Sequence, residues 1–273
     1  MPAKLNFNTI NIMGVINTTP DSFSDGGQFL KTEAALKHAQ KLIKEGADIL
    51  DIGGESTRPG AKQVSIQEEL DRTIPVIQGI RQFSEIPISI DTSKPQVMLA
   101  AAQAGVDMIN DVYALQLEGA LEAAATTKLP VCLMHMQGNP LTMQQNPEYE
   151  NVVETVIQFL QLRINAAQAA GITRENLIID PGFGFGKTLQ QNLQLLNSLS
   201  DFKVLDLPLL IGISRKSMLG LILDKPVEDR IYASLSAAVI AAQAGADIIR
   251  VHDVNETRDA LAVVQALRLT DPL

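Results

Sequence analysis

Short apolar stretches rich in β-branched residues recur along the chain, and each leads through a polar loop into an amphipathic segment. Eight such units can be counted. Strands are predicted over 10–16, 49–52, 87–90, 108–109, 131–134, 177–179, 209–213 and 248–251. Most are apolar without interruption, as strands covered on both faces are. The segments between them have helical spacing: Val152, Val153, Val156, Leu160, Ile164 and Ala167 return at three- and four-residue steps. Strand and helix in alternation specify a parallel sheet.

A near-repeat supports the count. Gly46-Ala-Asp-Ile-Leu50, Gly105-Val-Asp-Met-Ile109 and Gly245-Ala-Asp-Ile-Ile249 each follow a helical segment and open a strand. The glycine suits a left-handed helix C-terminus. Eight units favour closure into a (β/α)₈ barrel over an open doubly wound sheet, and 273 residues match the length of about 250 that such a barrel needs. No linker or composition break marks a second domain, so one domain spanning residues 1–273 is expected. Three loops, 18–31, 53–65 and 136–149, are long and would leave the same end of the barrel, where active sites of this fold sit.

Nearly every predicted strand ends in a polar or ionisable residue: Asn17, Asp51, Asp91, Asn110, His135, Asp180, Lys216 and His252. A packed strand has no use for these, and in a barrel such positions converge on one cavity. A single one could merely cap a loop; eight together predict a polar site.

Net charge sharpens that picture. At −9, with no basic run, the chain is a poor partner for nucleic acid, so an anionic ligand would be held by a few aimed cations. Arg58, Arg215, Lys216 and Arg250 stand at loop or strand-end positions, Arg250 two residues before His252, and an arginine fork fits phosphate. Asp91 and Asp180 would repel phosphate and suit the amidine-like edge of a heterocycle, which Asn110 could also read. The single cysteine, Cys132, lies in an apolar stretch and reads as buried and inert. No membrane-length apolar run and no signal-peptide pattern occur, which predicts a soluble, cytoplasmic protein without membrane partners.

The segment Asp180-Pro-Gly-Phe-Gly-Phe-Gly-Lys187 imitates a phosphate loop without being one, because Pro181 occupies the position of the first glycine. A loop bringing backbone and an aromatic face, Phe183 or Phe185, over a flat ligand is the better reading; core packing of those rings is the alternative.

These residues carry a family resemblance. Ile12-Met-Gly-Val-Ile-Asn17-Thr-Thr-Pro-Asp-Ser-Phe-Ser-Asp-Gly-Gly27 and Asp51-Ile-Gly-Gly-Glu-Ser-Thr57-Arg58-Pro-Gly60 resemble the two N-terminal signatures of the dihydropteroate synthases. Ser89–Thr92, Asn110-Asp111, Asp180–Lys187, Ser214–Ser217 and Arg250–His252 are similar to the remaining blocks, in order. The resemblance implies condensation of 6-hydroxymethyl-7,8-dihydropterin pyrophosphate with 4-aminobenzoate, in a homodimer that sulfonamides target. It implies Mg²⁺ as cofactor at Asn17, and Thr57, Arg250 and His252 on the pyrophosphate. Asp91, Asn110, Asp180 and Lys216 would bind the pterin between Met134 and Phe185. Arg58, Ser214 and Lys216, with residues 19–23, would shape the arylamine pocket, and Asp91, Asp180, Lys216 and Arg250 would carry the catalytic charges. Three other readings remain open: a pterin-binding methyltransferase, a Schiff-base aldolase using Lys216, and a non-catalytic pterin-binding barrel.

Overall fold

In each of the three near-repeats the glycine takes a left-handed φ, +92° at Gly46, +102° at Gly105 and +107° at Gly245. The chain reverses there and the aspartate two residues on clasps the neighbouring strand. Asp48, Asp107 and Asp247 accept through Oδ2 from the backbone N–H of Ile12, Ile88 and Leu209 at 2.8, 2.9 and 2.8 Å. Their own N–H groups donate to the carbonyls of the same three residues at 2.9, 2.7 and 2.9 Å. This double hydrogen bond sets where adjacent strands begin relative to one another.

The computed structural model describes residues 7, 9–19, 28–57, 60–61, 63–138, 142–143 and 147–268. The strands are β1 (Asn11–Asn17), β2 (Ile49–Gly53), β3 (Ile88–Asp91), β4 (Met108–Asp111), β5 (Val131–Met134), β6 (Leu177–Asp180), β7 (Leu210–Ile211) and β8 (Ile248–Val251). They run parallel in the order β6-β5-β4-β3-β2-β1-β8-β7, and a bridge between Ile179 and Leu209 joins the two ends into a barrel. Around it lie α1 (Gln28–Lys44), α2 (Ile66–Arg81), α3 (Pro95–Ala104), α4 (Ala120–Thr127), α5 (Val152–Ala169), α6 (Leu189–Asn197), α7 (Ser217–Leu223), α8 (Ile231–Gln243) and α9 (Val254–Arg268). The β7–β8 connection therefore contains two helices. The eight expected units are present, with β7 shorter than its apolar stretch and β3, β4 and β6 extending to include their polar ends.

Strand alternation then sorts the side chains. Leu50, Ile52, Ile90, Ile109, Leu133, Ile179, Ile249 and Val251 pack outward with the helices in the main core. Met13, Ile49, Met108, Cys132, Ile178, Leu210 and Ile248 form a separate inner cluster filling the lower barrel. Cys132 is buried there, and desolvation raises its thiol well above the ordinary range. On α5 the buried face is Val152, Val156, Leu160, Ile164 and Ala167, while Val153 is half-buried. Among the described residues no helix is long and apolar enough to cross a membrane.

Candidate active site

Two residues above the inner apolar layer, the same strands present polar groups: Asp51 follows Ile49, Asn110 follows Met108, Asp180 follows Ile178 and Arg250 follows Ile248. Along the register each stands two residues beyond the last, as Asp51 aligns through Ser89 with Met108 and not Asn110. The tilt of strands in a closed barrel offsets that stagger, so that Asn110 and Arg250 both reach Asp51. Arg250 is the hub. Its Nε donates to Asp51 Oδ2 at 2.6 Å and its Nη2 to Asp91 Oδ2 at 3.0 Å. Asn110 Nδ2 donates to the same Asp51 oxygen at 3.3 Å. Asp51 Oδ1, Asn110 Oδ1 and Ser89 Oγ are buried without a hydrogen-bond partner, so acceptors stand ready in the cavity.

Burial shifts these groups strongly. Desolvation, reinforced by the charge of Asp51, raises Asp91 to about 7 against the opposing pull of Arg250. Desolvation raises Asp180 too, opposed first by Lys216. Lys216 falls to about 8 through desolvation, with Asp180 acting the other way. Burial alone would lower Arg250, but Asp51 and Asp91 hold it firmly charged. Buried ionisable groups with displaced pKa values at the C-terminal ends of barrel strands are the pattern of a candidate functional site.

Lys216 stands at the N-terminus of α7, donates to the carbonyl of Phe183, and places Nζ 4.5 Å from the centre of the Phe185 ring. Phe185 belongs to one apolar cluster with Met134, Val112, Met136 and Met143, whereas Phe183 is fully buried in the main core. The intervening glycines are obligatory: a Cβ on Gly182 would fall 1.8 Å from the carbonyl oxygen of His135, and one on Gly186 2.7 Å from that of Gln137.

Ser214 Oγ lies 3.1 Å from His252 Nδ1 and accepts from the His252 N–H at 3.3 Å, which joins the ends of β7 and β8. Thr57 is half-buried, on a loop held by the Arg72 Nη1 bond to the Gly54 carbonyl at 2.8 Å and by Lys94, which bridges Glu55 and Glu69. Arg58 and residues 20–23 lie outside the described residues. Asn17 ends β1 beside Gly53, where a Cβ would meet Asp91 Oδ2 at 3.7 Å and Asn17 Oδ1 at 3.9 Å. The glycine leaves a small cradle faced by two oxygens. Among the described residues no group of three or more His, Cys, Asp or Glu could hold a metal by itself.

Two expectations change. His135 does not join the central cluster: its ring packs edge-on to Phe159 at 4.8 Å, and its Nδ1 lies 2.9 Å from Lys187 Nζ. Arg215, counted among the anion-facing cations, forks onto Asp253, with Nε donating at 2.9 Å, so its charge is matched at the start of α9. Asp51, one of the expected strand-end polar residues, proves to anchor Arg250, a role that its place in the sequence does not reveal. Lys187 is a contributor that the sequence reading does not single out, because its phosphate-loop resemblance points elsewhere and its partners lie on the folded loop and on His135.

The model of the "Pterin binding enzyme" family matches residues 13–252. The dihydropteroate synthase of Haemophilus influenzae is 55% identical over 262 residues, covering 96% of this chain and 95% of the relative. A Yersinia pestis dihydropteroate synthase crystal structure with a sulfonamide drug complex superposes with a TM-score of 0.93 at 52% identity, covering 97% of each chain. The Xanthomonas albilineans dihydropteroate synthase with 4-aminobenzoic acid gives 0.92 at 49% identity, covering 97% of this chain and 95% of that one. With the barrel, the acid–base cluster and near full-length identity in agreement, this chain belongs to the pterin-binding enzyme family, among its dihydropteroate synthases, and is a transferase.

Proposed function

We propose that this chain displaces pyrophosphate from 6-hydroxymethyl-7,8-dihydropterin pyrophosphate with the amine of 4-aminobenzoate, forming 7,8-dihydropteroate. The observation that carries the reading is the division of charge in one barrel mouth. Carboxylates Asp91 and Asp180 face the cavity together with Asn110, while Arg250 and Lys216 supply positive charge to the same space.

Asp91, Asn110 and Asp180 suit the amino and ring N–H groups of a pterin, with the partnerless Asn110 Oδ1 as a ready acceptor. Met134 and Phe185 wall the ring, and Lys216 exchanges its bond to the Phe183 carbonyl for the ligand. Thr57, Arg250 and His252 take the pyrophosphate. Ser214 and Lys216, with Arg58, shape the arylamine pocket. The Asn17 oxygen at the Gly53 cradle is a hard donor of the type Mg²⁺ takes, together with substrate oxygens. Bound there, Mg²⁺ would neutralise charge on the pyrophosphate.

An arylamine is already neutral near pH 7, so its attack needs little base assistance; the demanding step is loss of the leaving group. The C–O bond breaks ahead of C–N formation in a loose transition state. Arg250 and His252 stabilise charge gathering on the pyrophosphate, and ionised Asp91 and Asp180 favour positive charge on the pterin. The amine then forms the C–N bond and releases a proton. Each charge-assisted contact contributes about 1.5–3 kcal/mol.

The protein is proposed to act in the cytoplasm as a homodimer. In support, Leu221, Ile222, Leu223, Val227 and Tyr232 expose a run of large apolar side chains from α7 to α8. The deciding assay is pyrophosphate release from dihydropterin pyrophosphate and Mg²⁺, with and without 4-aminobenzoate. Amine-dependent release with dihydropteroate formed is expected. A folded protein that releases none under either condition would overturn the proposal.

A further inference from the structure

The loop from Pro181 to Gly186 has left-handed backbone at Gly182, Gly184 and Gly186, φ +71°, +80° and +66°, and those glycines have no side chain to pin it. Such a segment loses much freedom on ordering and needs explicit anchors. One anchor is Asp180, whose Oδ1 accepts from the Gly182 N–H at 2.7 Å. Tyr149 donates to the Gly186 carbonyl at 2.8 Å, and Asn192 Oδ1 accepts from the Gly184 N–H at 2.7 Å. The most extensive is Lys187, which is buried. Its Nζ reaches the carbonyls of Gly182 at 2.8 Å and Phe185 at 3.0 Å, and His135 Nδ1 at 2.9 Å.

An ammonium would give one N–H to each of these, with the His135 carbonyl at 3.5 Å as a fourth, longer contact. Desolvation, then the charge of Lys216, pushes Lys187 well below the ordinary lysine range, and a neutral amine also fits this geometry, with two N–H donors for the carbonyls and a lone pair for a proton on His135 Nδ1. His135 is lowered to about 2 by burial and by Lys187, so its ring is neutral, and the contact between Nδ1 and Lys187 Nζ holds with the proton on either partner. Among the described residues no carboxylate is in hydrogen-bond contact with Lys187 Nζ; loop carbonyls and an imidazole meet it instead. The backbone of Lys187 is fixed in turn, because the next residue, Thr188, opens α6 with a complete capping box.

We infer that Lys187 is a positioning residue for the pterin site: seated on His135 and anchored to α6, it holds the Gly182–Gly186 loop so that Phe185 and the Phe183 carbonyl meet Lys216. This rests on the function proposed above. The loop touches the ligand through the Phe185 wall and Lys216, which act on bound substrate and transition state alike. Loosening it removes uniform binding, which raises KM and leaves kcat nearly unchanged. A purely structural lysine behaves oppositely, since its loss lowers the active fraction and so kcat, with KM unmoved.

Lys187→Met is the direct test, and Asn192→Ala, which frees the same loop from the α6 side, covers the case in which Lys187→Met fails to fold. Lys187→Met should raise KM for dihydropterin pyrophosphate about tenfold and Asn192→Ala about threefold, with kcat per folded molecule within about twofold of wild type. KM within about twofold of wild type in each folded variant, or kcat falling with the folded fraction at constant KM, would overturn the inference. Wild-type turnover in the same series checks the reaction itself. If wild type binds but does not turn over, the proposed reaction fails, and the Kd of fluorescent 6-hydroxymethylpterin for the same variants decides the role of Lys187.

Discussion

Burial has brought one carboxylic acid and one ammonium in the barrel mouth close to the same pH. Asp91, near 7, is ionised only above that value, and Lys216, near 8, is protonated only below it. The proposed reaction requires both charges, Asp91 to favour a cationic pterin and Lys216 to hold ligand. The profile of kcat/KM should therefore rise through about 7, fall through about 8 and peak between. Initial rates at low pterin substrate across the neutral range check this. Asp91→Asn should flatten the acid limb; an unchanged limb would assign it to a different group. Of these residues, Asp91, Asn110, Asp180, Lys216 and Arg250 were legible in the sequence because a polar residue ending an apolar strand has no packing role. Asp51 was recognised as polar but not as the support of Arg250, since that pairing spans 199 residues of chain and exists only once the barrel is closed.

At the level of elements, the apolar stretches concealed two different layers. A run such as Ile49-Leu-Asp-Ile reads as continuous apolarity with one flaw, although Ile49 belongs to the inner cluster, Leu50 and Ile52 belong to the outer core, and Asp51 is the alternation continuing inward. Period-two reading from a known inward residue recovers the site, but which face is inward follows only from closure. The near-repeats show a similar limit. Their glycines were readable from backbone requirements, whereas the aspartates act on a strand distant in sequence. Asp107 takes the N–H of buried Ile88 and pairs with Arg81. Asp107→Ala leaves that N–H without its acceptor, so unfolding free energy should drop by about 1–3 kcal/mol. Urea titration tests this: the midpoint should shift at constant slope, and an unmoved midpoint would mean that the backbone bond alone sets the strand start.

For the molecule as a whole, a net charge of −9 surrounds a site proposed to take a pyrophosphate, so the overall field opposes the ligand and the local cations must overcome it. Depth makes this workable, because Arg250 acts in a cavity shielded from solvent screening and is held charged by two carboxylates. Such a site depends on the rigidity of the β7–β8 side of the barrel, where α7 starts at Lys216 and its outer surface is apolar. Leu221 is 68% exposed and Tyr232 77%, and with Ile222, Leu223 and Val227 they form a run of exposed large apolar side chains. A second copy covering this face would remove that surface from water and brace α7 together with Lys216. Sedimentation velocity should therefore show wild type as a dimer at micromolar concentration, and Tyr232→Glu should shift it towards monomer while raising KM for the pterin substrate. A monomeric wild type, or a Tyr232→Glu dimer as tight as wild type, would show that this face does not join two copies and that Lys216 is positioned from within its own barrel.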